Sequence, residues 1–306
     1  MAVFQNALDK LNLLFLSEKS KKKIEDIILI LAIASFIVHL VFIFCSELIP
    51  FLNPDSPLLS SPIAAVYTPF SFILVYEVYL LVYYLPRSIT TYVSKQYEII
   101  SLIIIRRLFK DLANLKLSSN WFSIKDDLQF TYDILASLIL FYLLFWFYRL
   151  NQKRKVLNTS NSDSNSHLIR FIRFKKTIAV VLVPLLLGMV LFSFGKWGYL
   201  ELIDADNSLK ELKNINNIFF DEFFSVLIIV DVLLLLVSFF YTDKYHKVIR
   251  NSGFVISTIL IRLSFSVDGL VNTILIIFAV LFGLAILAIH NTYERNFETK
   301  EAKNQT

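Results

Sequence analysis

The apolar positions of this chain run in long continuous stretches instead of alternating with polar ones. Six stand out, at 27–49, 63–85, 128–150, 177–197, 220–241 and 267–290. Each holds 21 to 24 residues, close to the ~20 that an α-helix needs to cross ~30 Å of hydrocarbon at ~1.5 Å per residue. Trp146 and Trp197 fall near the ends of two of them, where an amphipathic ring suits the membrane interface. Segments 88–109 and 246–265 are long enough to span but more polar; the first contains Lys95, Glu98, Arg106 and Arg107. Ahead of the first stretch, Phe4, Ala7, Leu8, Leu11, Leu14 and Phe15 recur at helical spacing. They predict an amphipathic helix on the membrane surface, and with the basic run at 19–23 they make up an N-terminal element over 1–26. The first stretch, with no good cleavage site behind it, is expected to stay as an anchor.

Composition narrows the class. Of the 306 residues, 56% are hydrophobic and 18% charged, and Phe alone occurs 29 times. Soluble domains carry about 25% charged residues, and so few charges would not shield this apolar surface from water. Disorder and nucleic-acid binding are excluded on the same grounds. Cys45, the single cysteine, forms no internal disulfide and reads as an apolar filler.

Loop charge sets the number of crossings. With six crossings and a cytoplasmic N-terminus, loop 149–176 would lie outside with eight basic residues against Asp163 alone. Loop 196–222, with three basic and six acidic residues, would lie inside. Both break the positive-inside rule. Letting 88–109 and 246–265 cross places the basic loop inside and the acidic one outside, with both termini cytoplasmic. The predicted fold is therefore an all-α, polytopic transmembrane helical bundle of eight helices, with six crossings as the alternative. A multi-pass protein of a cell membrane, the bacterial inner membrane, is expected.

A weak internal repeat runs through the chain. Phe70-Ser71 with Glu77-Val78 matches Phe224-Ser225 with Asp231-Val232 at an offset of 154. Ile100–Arg106 resembles Ile256–Arg262 at 156, and Phe130–Asp133 resembles Phe265–Asp268 at 135. Two four-helix units of the same orientation would follow, at 27–150 and 177–291, joined by a basic cytoplasmic linker at 151–176 and followed by a polar tail at 292–306. Convergent composition is the competing explanation.

Charged residues inside spans are functional candidates, because an ionised group in hydrocarbon costs several kcal/mol unless paired or hydrated. Glu77 and Asp231 fall near the centres of their stretches; the alternative for each is a hydrogen-bonded helix clamp. Arg106, Arg107 and Arg262, near the outer helix ends, could pair with Asp133 and Asp268 at similar depth, or simply snorkel. Tyr76, with Tyr79, Tyr83 and Tyr84, surrounds Glu77 in sequence and could supply a hydroxyl or line a polar passage. His39 lies mid-stretch and titrates near neutrality, but it has no second ligand three or four residues away.

No catalytic set, phosphate loop, dinucleotide motif or cofactor signature is legible, and no motif identifies a metal. The expected function is transport of an ion or small solute by a carrier or channel using Glu77 and Asp231. A non-transporting membrane subunit or sensor held by charge pairs is the alternative, and a membrane-embedded enzyme ranks third. Expected partners are membrane lipids, the solute, and a second copy or a membrane partner subunit, with no nucleic acid.

Overall fold

The computed structural model describes residues 10–45, 62–112, 125–157, 166–203, 208–241, 245–267 and 269–304. Among these residues there is no strand. Eight helices follow one another: α1 (Glu18–Cys45), α2 (Tyr67–Tyr84), α3 (Ile89–Leu112), α4 (Lys125–Leu157), α5 (Ser166–Ile203), α6 (Ser208–Phe239), α7 (Tyr245–Ser264) and α8 (Gly269–Asn304). A 3-10 turn, Pro62–Val66, leads into α2. Among the described residues, every stretch singled out by hydropathy, and both polar segments, is mostly helical. The protein is an all-helical membrane protein.

Five of the helices are long and apolar enough to cross a membrane, over Lys10–Cys45, Asp127–Gln152, Arg170–Phe192, Glu222–Phe239 and Gly269–Asn296. Thr68–Tyr84 is apolar but shorter. In the first of these spans only 6% of the apolar window is buried, and Ile30, Ile33 and Phe44 are more than half exposed. An apolar helix so uncovered is stable in lipid and would be a large exposed patch in water.

The two polar helices behave in the opposite way. In α7, Arg250, Asn251, Ser257, Thr258 and Ser264 are buried. In α3, so are Thr90, Ser94, Gln96 and Ser101. Their polar groups are therefore enclosed by protein, where neighbours can satisfy them.

Local chemistry sets the helix ends. Ser17 Oγ accepts the Ser20 N–H at 3.1 Å, and Ser88 Oγ accepts the Thr91 N–H at 3.2 Å; both act as N-caps. Pro86, just past α2, cannot continue that helix. The Asn272 amide donates to the Ser264 carbonyl at 2.5 Å, satisfying one of the open carbonyls at the end of α7. Gly269 opens α8 at φ 71°, a conformation that glycine adopts without steric cost.

The structure departs from expectation at several helix ends. Residues 10–15 are helical and Leu13 and Leu14 are strongly exposed, while residues 1–9 of the expected surface helix lie outside the described residues. The expected linker at 151–176 is largely helical, since α4 runs to Leu157 and α5 begins at Ser166. Loop 196–222 is mostly helical as well, and α8 continues through most of the expected tail. The spans are apolar windows inside longer helices: α5 has 38 residues and α8 has 36.

The chain divides into two compact units. One comprises residues 1–85, 105–130 and 176–224; the other comprises 86–104, 131–175 and 225–306. Helices α3, α4, α5 and α6 each contribute to both. In the first unit, α1 packs against α2 and the 3-10 turn. The core of the second unit holds the fully buried rings of Tyr97, Phe147 and Phe254. Tyr97 and Phe147 meet edge to face at 5.2 Å, and Phe147 lies 6.0 Å from Phe254.

A hydrogen-bond chain pins α3, α7 and α8 together in this core. Ser257 Oγ donates its only proton to the Ala279 carbonyl at 2.6 Å, so the Tyr97 hydroxyl must be the donor in its 2.6 Å contact with Ser257. Gly283, one turn beyond Ala279, makes room for it; a Cβ there would lie 1.8 Å from the Tyr97 oxygen. Gly283→Ala should therefore destabilise the protein by about 1–3 kcal/mol through overpacking. Gly188→Ala, whose Cβ would meet nothing within 4 Å, should stay within about 0.5 kcal/mol of the parent. Unfolding of the purified protein in detergent measures both.

Candidate functional site

Glu77 lies in α2 and is buried. Its partner comes from α3, where Arg106 Nη2 donates to Glu77 Oε2 at 2.9 Å, with side chains only 5% exposed for Glu77 and 13% for Arg106. Arg106 Nη1 makes a longer contact of 3.4 Å with the Phe70 carbonyl. Beside this pair, the rings of Phe70 and Phe109 lie 5.3 Å apart. Attraction between full charges grows as water is excluded, so the pair offsets part of its own desolvation. Removing either member would strand the other.

The tyrosines serve a different face. At 3.6 residues per turn, Tyr76, Tyr79 and Tyr83 line one side of α2, and Glu77 is rotated about 100° from Tyr76. Tyr76 donates to Glu25 at 2.8 Å, Tyr79 to the Phe15 carbonyl at 2.7 Å and Tyr83 to Glu18 at 2.5 Å. The Lys21 ammonium sits 5.6 Å and 5.8 Å from the Tyr83 and Tyr84 ring centroids, a cation–π contact. These tyrosines hold the N-terminal part of α1 against α2, with Tyr76 bound to Glu25 instead of Glu77. His39 hydrogen-bonds the Thr68 hydroxyl, a further link between α1 and α2.

Asp231 occupies the middle of the apolar span of α6 and is 5% exposed. The Gln96 amide of α3 donates to its Oδ2 at 3.1 Å. Thr258 of α7 and Lys175 of α5 are its other polar neighbours. Tyr92 also interacts electrostatically with the carboxylate, but its buried hydroxyl meets the full geometry of a hydrogen bond to no group. Lys175, itself buried, donates to the Arg87 carbonyl at 2.6 Å.

Asp231 lines a cavity of about 510 Å³, a volume typical of small-molecule sites. Every lining residue belongs to the second unit. Among the described residues that line it, Arg87, Lys175, Lys247 and Arg250 are basic and Asp231 is acidic. Arg250 donates to Asn251 Oδ1 at 2.9 Å through Nη2, and its Nη1 lies 3.0 Å from His290 Nε2. Val93, Leu234, Phe254 and Val255 make the wall partly apolar.

The remaining candidates are placed as follows. Asp133 is fully buried in α4, with a long 3.5 Å contact from the Thr273 hydroxyl. Arg262 sits in the last turn of α7; Asp268, one expected partner, lies outside the described residues. Arg107 follows Arg106 near the end of α3. The repeat at the sequence level does not carry over to the carboxylates' partners: Glu77 meets Arg106, whereas Asp231 meets Gln96. Among the described residues, no group of three His, Cys, Asp or Glu side chains is placed to hold a metal ion.

Sequence reasoning did not single out Gln96, Tyr92, Lys175 or Arg250. A neutral amide carries no hydropathy alarm, and Lys175 and Arg250 read as basic loop flanks. For Gln96, Tyr92 and Arg250 the available signal was the unusual polarity of 88–109 and 246–265, which contain them; Lys175 lies in neither.

Coupling between Glu77 and Arg106 is directly measurable. Arg106→Gln should cost about 3–5 kcal/mol, as expected when a buried pair loses one partner, and Glu77→Gln combined with it should recover most of that loss. Strictly additive effects in a double-mutant cycle in detergent would show that the pair is not coupled. No protein-family profile matches the chain, and no curated protein or solved structure matches it either.

Proposed function

We propose that the protein moves a small polar solute across a cell membrane, with the cavity beside Asp231 as its solute site. The single observation that carries this is a buried carboxylate, in the middle of an apolar span, that lines a cavity of small-molecule size. Purely structural acids are closed over by their partners. Asp231, held by Gln96 with Thr258, Tyr92 and Lys175 beside it, also lines open volume.

In this proposal Glu77 has a different task. Its ion pair with Arg106 is a two-state element: intact, it holds α2 to α3, and protonation or hydration of Glu77 would release it. A solute that favours one arrangement would shift the population between them. Eight crossings with cytoplasmic termini, in a bacterial inner membrane, complete the proposal, and the faint four-plus-four repeat would give the rocking halves. That topology puts the end of the cavity lined by Arg87, Lys247 and Arg250 toward the cytoplasm.

The Glu77–Arg106 pair supports one other reading, a sensor or membrane subunit in which charge pairs register a stimulus without flux. Flux separates the two. Asp231→Asn keeps shape and most hydrogen-bonding capacity while removing the charge. In reconstituted vesicles assayed over monovalent cations, protons, halides and small organic anions, it should remain folded and lose at least tenfold in flux. Parental flux in this variant would remove Asp231 from the mechanism.

A further inference from the structure

We propose that one face of α3 is the contact surface between two copies of this chain, joined at mid-membrane by a quartet of charges made of Lys95 and Glu98 from each copy. This face is separate from the residues that line the Asp231 cavity, and the contact stands whether or not a solute moves.

Exposure along α3 marks the face. From Thr91 to Leu102 every position is buried except Thr91, Lys95, Glu98 and Leu102. Steps of four, three and four residues keep these side chains on one narrow stripe, the period of a seam between packed helices. Leu102 is 46% exposed. Lys95 donates to both Glu98 oxygens, at 2.9 Å and 2.7 Å, yet the two side chains keep 25% and 32% of their exposure. Pairing within the helix therefore does not enclose them.

Two contacts inside the second unit fix the depth of this ion pair. Gln96, next to Lys95, donates to Asp231 at the middle of the α6 span. Tyr97, next to Glu98, bonds Ser257, which bonds the Ala279 carbonyl well inside the α8 span. Lys95 and Glu98 thus lie within about 3 Å of that depth along the helix axis. A four-carbon stem is too short to carry an ammonium across half of the ~30 Å hydrocarbon core, so snorkelling does not relieve the exposure. Lipid solvates such a pair poorly; a protein surface that brings opposite charge to it solvates it well.

The stripe complements itself. It carries one charge of each sign a turn apart, so a second copy in the same orientation supplies the opposite charge from the same patch. The two copies are then related by a two-fold axis along the membrane normal. Each ammonium neighbours its own carboxylate and Glu98 of the partner subunit, and attractive contacts outnumber like-charge ones. Thr91, one turn before the quartet, is small enough for close helix approach in a membrane, and Leu102, one turn after, adds apolar packing.

The test uses the full-length protein, in cell membranes and purified in phosphatidylcholine nanodiscs. In a Cys45→Ala background with copper phenanthroline as oxidant, Leu102→Cys should cross-link two copies at least tenfold more than Leu281→Cys, a position 48% exposed on α8 near the same depth. Lys95→Glu and Glu98→Lys, each expressed alone, should lower dimer formation at least tenfold, because either variant gathers four like charges at the contact. Co-expressed with different tags, the two variants should pair with each other at the parental level, and that rescue shows both chains folded. Leu102→Cys leaves the charges in place and decides the matter if the charge variants fail to fold. Equal cross-linking at 102 and 281, a cross-link from 102 only to a different protein, or self-pairing of either charge variant at the parental level overturns the inference. Flux is read separately: a dimer with no flux sinks the transport proposal and leaves this contact standing.

Discussion

A charged side chain inside a helical membrane protein has no bulk water to solvate it, and this constraint accounts for much of the structure. Lipid cannot hydrogen-bond, so each ionised or polar group must find a partner in protein or face a hydrated space. Helix α3 meets both carboxylates: Arg106 reaches Glu77 in the first unit, and Gln96 reaches Asp231 in the second. It meets the need in two ways, by an ion pair for Glu77 and by a neutral amide for Asp231. Tyr92, Thr258 and Lys175 also surround Asp231, and it is the carboxylate that lines a cavity. This difference between the two sites is why the proposal gives them different tasks.

The same constraint explains where the helices put their surfaces. Apolar helices such as α1 leave large residues uncovered, because lipid solvates them as well as a protein core would. The polar helices α3 and α7 turn their serines, threonines and amides inward, and they meet through Tyr97 and Ser257 over the backbone of α8. Gly283 allows that approach by having no Cβ. Polar residues that weaken a hydropathy signal are here the residues that join helices.

Most of the architecture was legible in the chain. Apolar stretches of spanning length marked six helices, and loop charge argued for the two polar ones. Glu77 and Asp231 stood out because acids are rare in such stretches. Their partners did not, because pairing depends on which faces of two helices meet, and hydropathy has no information about faces. Arg106 was set against Asp133 and Asp268 on depth alone, whereas in the structure it binds Glu77. The rotation of Glu77 away from the Tyr76 face could have been read from helical periodicity. Lys175 and Arg250 resembled ordinary basic flanks until the fold brought them to one cavity from helices α5 and α7. Helix ends were misjudged for a simpler reason: polar continuations of a membrane helix are still helical, and apolarity stops marking them at the interface.

The central proposal is that polar helix α3, which meets both carboxylates, also crosses the membrane. Its crossing is tested most directly by accessibility on either side of it. In a Cys45→Ala background, single cysteines at Asn120 and Asn158 would be exposed to an impermeant thiol reagent in intact cells. If α3 crosses, with cytoplasmic termini and eight passes, position 120 reacts from outside and position 158 reacts only after the membrane is opened. Labelling of 158 from outside, with 120 protected, would contradict the account.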